Sequence, residues 1–133
     1  MKLAAVAALL VLAGCGGSDT PSHPPGVLEF SAEFAKPLPQ GFTTGAPVRI
    51  AGVNVGTVSA IDKRTVTLQV RAIPQRPELH ADAQIILRPR IFKEGAWFAD
   101  LYPGTAAAAP LDDGARLPRT QTRAYSGPPL PFR

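Results

Sequence analysis

The stretch Ala46–Val58 reads APVRIAGVNVGTV. Six of its thirteen residues are β-branched, the profile of a strand, yet Gly52 and Gly56 perforate it. Glycine weakens a strand interior and marks a bulge, a tight bend or a close backbone approach. Val48 and Ile50 alternate with Arg49 before the first glycine, and Val53, Val55 and Val58 follow it. The stretch is strand material that two glycines interrupt, and periodicity alone does not say why.

The surrounding chain carries the same two-residue period. In VLEFSAEF, Leu28, Phe30, Ala32 and Phe34 alternate with Glu29, Ser31 and Glu33, the signature of a half-buried strand. In TVTLQVR, Val66, Leu68 and Val70 oppose Thr65, Thr67, Gln69 and Arg71. AQIILRPRIF is apolar at Ile85, Ile86 and Leu87, which predicts burial on both faces there. AWFADLYPG holds the only tryptophan, and Asp112-Asp113-Gly114 between Leu111 and Leu117 predicts a short hairpin. KPLPQGFTTG and PQRPELHAD are loops by their prolines and glycines. No segment offers three turns of helical apolar spacing. With 15 prolines in 133 residues, the expectation is an all-β fold of six to eight short strands, a small barrel or sandwich.

The amino-terminal end reads as an address. MKLAAVAALLVLAGCGG has a basic start, an apolar run from Leu3 to Ala13 and small residues after it. The run is shorter than the roughly 20 apolar residues that cross a bilayer and fits a secretory signal. Leu12-Ala13-Gly14-Cys15 resembles the bacterial lipoprotein signal, and Cys15 is the only cysteine. A disulfide framework needs an even set, so Cys15 is expected to carry the lipid and become the new amino terminus. The expected organisation is a signal over residues 1–14, a flexible tether over 15–26, a β-domain over 27–119 and a Pro-rich disordered tail over 120–133.

Composition excludes several functions. The formal charge of +4 comes from scattered residues, so no clustered basic patch with interleaved aromatics points to nucleic acid. The sole thiol is spoken for. His23 lies in the tether and His80 in a loop, and His80 with Asp82 falls short of the three or four ligands of a usual metal site. Glu29 and Glu33 sit on the outward side of one strand, where solvation is the simpler reading than acid–base work. Gly52 and Gly56 precede no helix, so no phosphate cradle forms. The expectation is a protein that is no enzyme and needs no cofactor or metal.

GFTTGAPVRIAGVNVGTVSAI resembles the signature region of the mammalian cell entry (MCE) domain. The matching positions are Gly41, Phe42, Gly45, Val48, Gly52, Val53, Val55, Gly56 and Val58. Later, IILRPRIFKEGAWFADLYPG and LDDGARLP resemble the domain's closing stretches, with Gly95, Phe98, Leu101 and Gly104 in place. The likeness runs from about Leu28 to Pro118 and implies a small β-barrel in which residues 46–58 form two strands, with Gly52 at the reversal and Gly56 at a bulge or bend. It implies barrels assembled in six-membered rings, serving ABC-type transporters that move phospholipids, sterols or other lipids in the bacterial cell envelope. The family's apolar pore loop corresponds to residues 90–97, with Ile91, Phe92 and Trp97 on the lipid path; Phe92 and Trp97 as plain barrel core is the competing reading. The implied partners are other MCE subunits in a hetero-hexamer, a permease and an ATPase. The lipoprotein signal implies an anchor on the outer face of the cytoplasmic membrane or in the periplasm. The long helical region that usually follows the barrel in such members has no counterpart in RTQTRAYSGPPLPFR. That departure leaves open a lipoprotein that keeps the barrel as a structural or lipid-binding module without transport.

Overall fold

The computed structural model describes residues 25–71, 77–93 and 95–126. The apolar leader, Cys15, most of the tether and the residues after 126 lie outside them. The alternating segment at the start becomes β1 (Val27–Glu33), and the perforated stretch becomes β2 (Pro47–Ile50) and β3 (Val53–Asp62). They reverse through Ala51 and Gly52, both at positive φ (50° and 84°), the backbone of a tight hairpin. β4 (Thr65–Arg71) follows a two-residue turn. Then come β5 (Gln84–Pro89), β6 (Trp97–Tyr102), the short β7 (Arg116–Leu117), a 3₁₀ turn (Arg119–Gln121) and β8 (Thr122–Ala124).

All eight strands form one sheet, ordered β7-β1-β4-β3-β2-β6-β5-β8, curled into a nearly closed all-β barrel. β1–β4, β4–β3, β3–β2 and β6–β5 pair antiparallel. Three pairings are parallel: β2 with β6, β1 with β7 and β5 with β8. The registers put the starts of β1, β3 and β5 at one end of the barrel. The chain therefore enters at Val27 beside the Ala51–Gly52 reversal. The β5–β6 connection lies at the opposite end.

The two-residue period sorts side chains as the pleat demands. Ala32, Val48, Leu68, Val70, Leu87 and Ala99 have no exposed surface, and no polar side chain is buried among the described residues. Each aliphatic side chain withdrawn from water contributes about 1.5–3 kcal/mol. Val53, opposite Ile50 at the end of the barrel, is 58% exposed. A bulge follows it. Val48 faces Gly56 while Arg49 faces Asn54, so Val55 is the extra residue, and Val55 and Gly56 are buried in succession. A second irregularity lies between Val58 and Ala60.

Between them Gly56 passes close to β4. A Cβ built there would lie 1.9 Å from the Gln69 carbonyl oxygen and 2.9 Å from Val70 Cα. At Gly52 the neighbourhood is open, and only its φ resists a side chain.

Two expectations are corrected. The segment 111–117 is not a hairpin. Its Asp112–Ala115 turn (3.1 Å) hands the chain to β7, which pairs parallel with β1, while Leu111 N–H bonds the Leu79 carbonyl at 2.8 Å. Nor does the β-domain end at residue 119, because β8 joins the sheet beside β5. The sequence contrast of prolines and polar residues hid a three-residue strand. β8 is held less by its own apolar residues than by polar ties.

Those ties converge on Glu33. Its carboxylate accepts from Arg116 Nη2 at 3.0 Å and from Arg119 Nε at 3.1 Å and Nη2. Its carbonyl accepts from Thr122 Oγ1 at 2.6 Å. Gln121 Nε2 donates to Ala83 O at 2.7 Å and Ala81 O at 3.0 Å. The turn thereby clamps β7 and β8, the two edges of the sheet, across the seam. The Arg119 guanidinium, through its hydrogen bonds and charge, and then Arg116, hold the Glu33 carboxyl below its ordinary 4.5.

Gly56→Ala is expected to cost more than Gly52→Ala in a thermal melt: overpacking against backbone costs about 1–3 kcal/mol or more, against about 1 kcal/mol for a lone left-handed residue. Equal melting temperatures for the two variants would refute the close approach. The Glu33 tie is fully present above pH 4.5, fades below it, and is gone once pH falls beneath the lowered folded value. The stability gap between the wild type and Glu33→Gln should therefore close on acidification, read as melting temperature against pH.

Candidate functional site

The β5–β6 connection has a hydrogen-bonded base and a bare tip. Arg90 N–H donates to the Ala96 carbonyl at 2.8 Å and Ala96 N–H to the Lys93 carbonyl at 3.0 Å. Gly95 takes φ +78°. Gly41 (φ +90°) lies directly against it: a Cβ at 41 would stand 1.7 Å from the Gly95 carbonyl oxygen and 3.5 Å from the Trp97 ring. Trp97 opens β6, half-buried and packed against the core cluster. The loop therefore rests on a glycine–glycine contact backed by an indole.

Beyond that base the chain presents Ile91, 58% exposed, and Phe92, 90% exposed. Arg90 and Lys93 flank them. These four consecutive residues form an apolar point within a cationic collar. Burying a side chain the size of Phe92 against a partner yields about 1.5–3 kcal/mol, a gain forgone in the single barrel. The structure thus separates the residues proposed for the lipid path: Ile91 and Phe92 form the tip, and Trp97 belongs to the wall beneath.

The remaining glycines lie elsewhere. Gly45 (φ +88°) precedes β2, its N–H on the Val58 carbonyl at 2.8 Å. Gly52 is at the far end of the barrel, and Gly56 is inside the β3–β4 approach. Of Gly41, Gly45, Gly52, Gly56 and Gly95, only Gly41 and Gly95 meet.

Other polar residues serve the scaffold. Glu29 accepts from Gln69 Nε2 at 2.8 Å, apart from the arginines on Glu33. His80 Nδ1 lies 2.9 Å from the Ala108 carbonyl. Asp82 turns to Thr105, accepting from its N–H at 2.9 Å and its hydroxyl at 2.7 Å. Those bonds lower the Asp82 carboxyl below its ordinary 3.8.

A network on the outer face of β5 and β6 was not legible in the sequence. Arg88 donates to Asp100 Oδ2 at 2.7 Å and to the Tyr102 hydroxyl at 2.9 Å, and that hydroxyl donates to Asp100 at 3.0 Å. Its hydrogen bonds to Tyr102 and Asp100 raise the Arg88 pKa further. Arg49 stacks 4.7 Å over the Phe98 ring. Their only sequence signal is outward parity on strands whose pairing must already be known.

Ile91→Asn with Phe92→Asn should leave the melting temperature nearly unchanged, because exposed substitutions typically move stability within about 0.5 kcal/mol. Trp97→Ala should lower stability by about 1–3 kcal/mol, less than for a fully buried aromatic. Denaturant melts of both variants check the division into tip and wall. An unfolded double variant would return Phe92 to the core.

No family model matches the chain, and no curated protein matches it. Among solved structures it is similar to a chain of the Acinetobacter MlaFEDB complex in its ATP-bound Vtrans1 conformation. The two share 15% identity at a TM-score of 0.57, over 84% of this chain and 82% of that one. At that identity the likeness is one of fold, and it agrees with the MCE-type barrel that the sequence motifs imply.

Proposed function

We propose that this chain is an MCE-type subunit of an ABC-type lipid transport system in the bacterial envelope. It contributes one barrel to a six-membered ring and lines the central passage with Ile91 and Phe92. The observation that carries the reading is the bare apolar tip on a hydrogen-bonded base. Two large apolar side chains held out in water gain nothing in a lone barrel. Around a ring axis they face their counterparts and form a passage that acyl or sterol bodies can follow, with Arg90 and Lys93 near the headgroups. The fold shared with a chain of the MlaFEDB complex supports the transport setting. In this reading the chain acts by binding and guiding, with no catalytic step, alongside other MCE subunits, a permease and an ATPase.

The barrel's polarity fits the anchor. The tether joins at Val27, at the end away from the loop. Residues 15–26 reach at most about 40 Å when extended, so a lipid on Cys15 keeps the barrel near the membrane, attached at the end opposite the tip. Several acyl chains, at about 0.8 kcal/mol per buried CH₂, hold such an anchor firmly.

Two measurements test the reading. Cys15→Ser should free the protein from membranes or leave the precursor uncut, and unchanged fractionation and mobility would refute the anchor. A photoreactive residue at 91 or 92 should crosslink to lipid in cells. Ile91→Asn with Phe92→Asn should impair transport while the protein stays folded. A folded double variant with wild-type transport would sink the assignment of the tip.

A further inference from the structure

Among the described residues the barrel does not close along its whole seam. After β1, residues Phe34–Leu38 run on past the sheet, and facing them stands β8 with Tyr125 and Ser126. A groove of about 370 Å³ lies between, at the small end of the range for small-molecule sites. Part of its wall is apolar: Phe34, Pro37, Leu38 and Ala124 line it with Tyr125. Phe34 is core, and Leu38 and Ala124 pack against the core, so the groove reaches the barrel interior.

Its charge is one-sided. Lys36 and Arg123 both contribute to the lining, both are exposed, and neither makes an ion pair among the described residues. No Asp or Glu stands among the described lining residues. Thr122, Tyr125 and Ser126 add hydroxyls, with Thr122 Oγ1 committed to the Glu33 carbonyl.

The wall opposite β8 is poorly made for an added strand. Phe34 N–H already donates to the Arg64 carbonyl at 2.8 Å. The Ala35 carbonyl already accepts from Arg64 Nη1 at 2.8 Å. Pro37 has no N–H to offer. An extended peptide would find its ladder on one side only. An alkyl chain needs no backbone partner and fits the apolar side of the slot, while a negative headgroup finds only cations among the charged lining residues.

We infer that this open seam binds an anionic single-chain amphiphile, its alkyl chain between Phe34, Leu38 and Ala124 and its carboxylate or phosphate at Lys36 and Arg123. The site is complete within one barrel and does not depend on a ring. β8 runs parallel to β5, with Ala124 beside Leu87. The groove therefore opens toward the barrel end that carries the Ile91–Phe92 tip, yet shares no lining residue with it.

The test uses the full chain with its anchor, in phosphatidylcholine vesicles. The probe is a photoactivatable long-chain fatty acid, with its methyl ester as the uncharged control, and labelled peptides are mapped after irradiation. The acid should label residues 34–38 and 122–126, and the ester only weakly. Lys36→Glu with Arg123→Glu changes exposed positions and should cut labelling about tenfold, the loss of one charge-assisted contact. Ala124→Trp, which fills the slot, should also remove it while the melt confirms folding. Competition by unlabelled fatty acid or by lysophosphatidic acid assigns the headgroup, and competition by neither overturns the site. Equal labelling by the ester, or wild-type labelling of the charge-reversed variant, overturns it. Label confined to residues 91 and 92 overturns the groove while supporting the tip as a lipid contact. Background labelling that rises only when the chain is cut after Ser126 makes the groove the berth of residues 127–133 and overturns the lipid assignment.

Discussion

β3 and β4 run so close that a single carbon on residue 56 would lie 1.9 Å from the Gln69 carbonyl oxygen. This approach, with the bulge at Val55 beside it, coils a ten-residue strand that would otherwise run too straight for a small barrel. Once β3 is coiled, β2 is turned far enough to pair with β6 through Val48–Ala99 and Arg49–Asp100. That parallel pair welds the β5–β6 hairpin to the meander of β1, β4, β3 and β2. The hairpin tip inherits its position from this weld. Gly41 against Gly95 then settles its base, and Ile91 and Phe92 stand at the barrel end instead of folding back.

Closure uses a different kind of force. Backbone pairing holds β7 by two residues and β8 by three, too few to shut a sheet. Glu33 compensates by accepting two arginines with its carboxylate and Thr122 with its carbonyl. Exposed ion pairs contribute modestly one at a time. Here they fix a turn whose two ends are different strands, so geometry matters more than their individual strength. Where the clamp ends, beyond Glu33, the seam opens into the groove between Leu38 and Ala124.

The strands were legible wherever burial is one-sided. Phe30, Ala32, Val66, Leu68 and Val70 obey the pleat, and parity alone assigns them. The family resemblance of residues 41–58 resolved the perforated stretch into two strands, which periodicity by itself left open. The burial of Val55 and Gly56 in succession was not legible, because a bulge resets parity and leaves little mark in composition. The pairing of β7 and the presence of β8 were not legible because their ties run through side chains from distant positions: Glu33 to Arg119, and Gln121 to Ala83. The candidate loop was legible as an apolar pair between strands. Its division into tip and wall was not, because Trp97 and Phe92 are both aromatic and only three-dimensional placement separates them. The Arg88–Asp100–Tyr102 network and the cations of the groove depend on registers that no local pattern encodes.

The short edge strands have a consequence for how the chain reaches this form. β1 leaves one edge waiting for Arg116, and β5 leaves one waiting for Thr122. During synthesis the meander and the β5–β6 hairpin can form while both edges are still open. Pairings between distant segments are slow, and open edges invite wrong partners. Residues 116–124 thus act as the latch on an assembly already largely built. Until they arrive, the nascent barrel is a sheet with two sticky sides, and its safety rests on how briefly that state lasts.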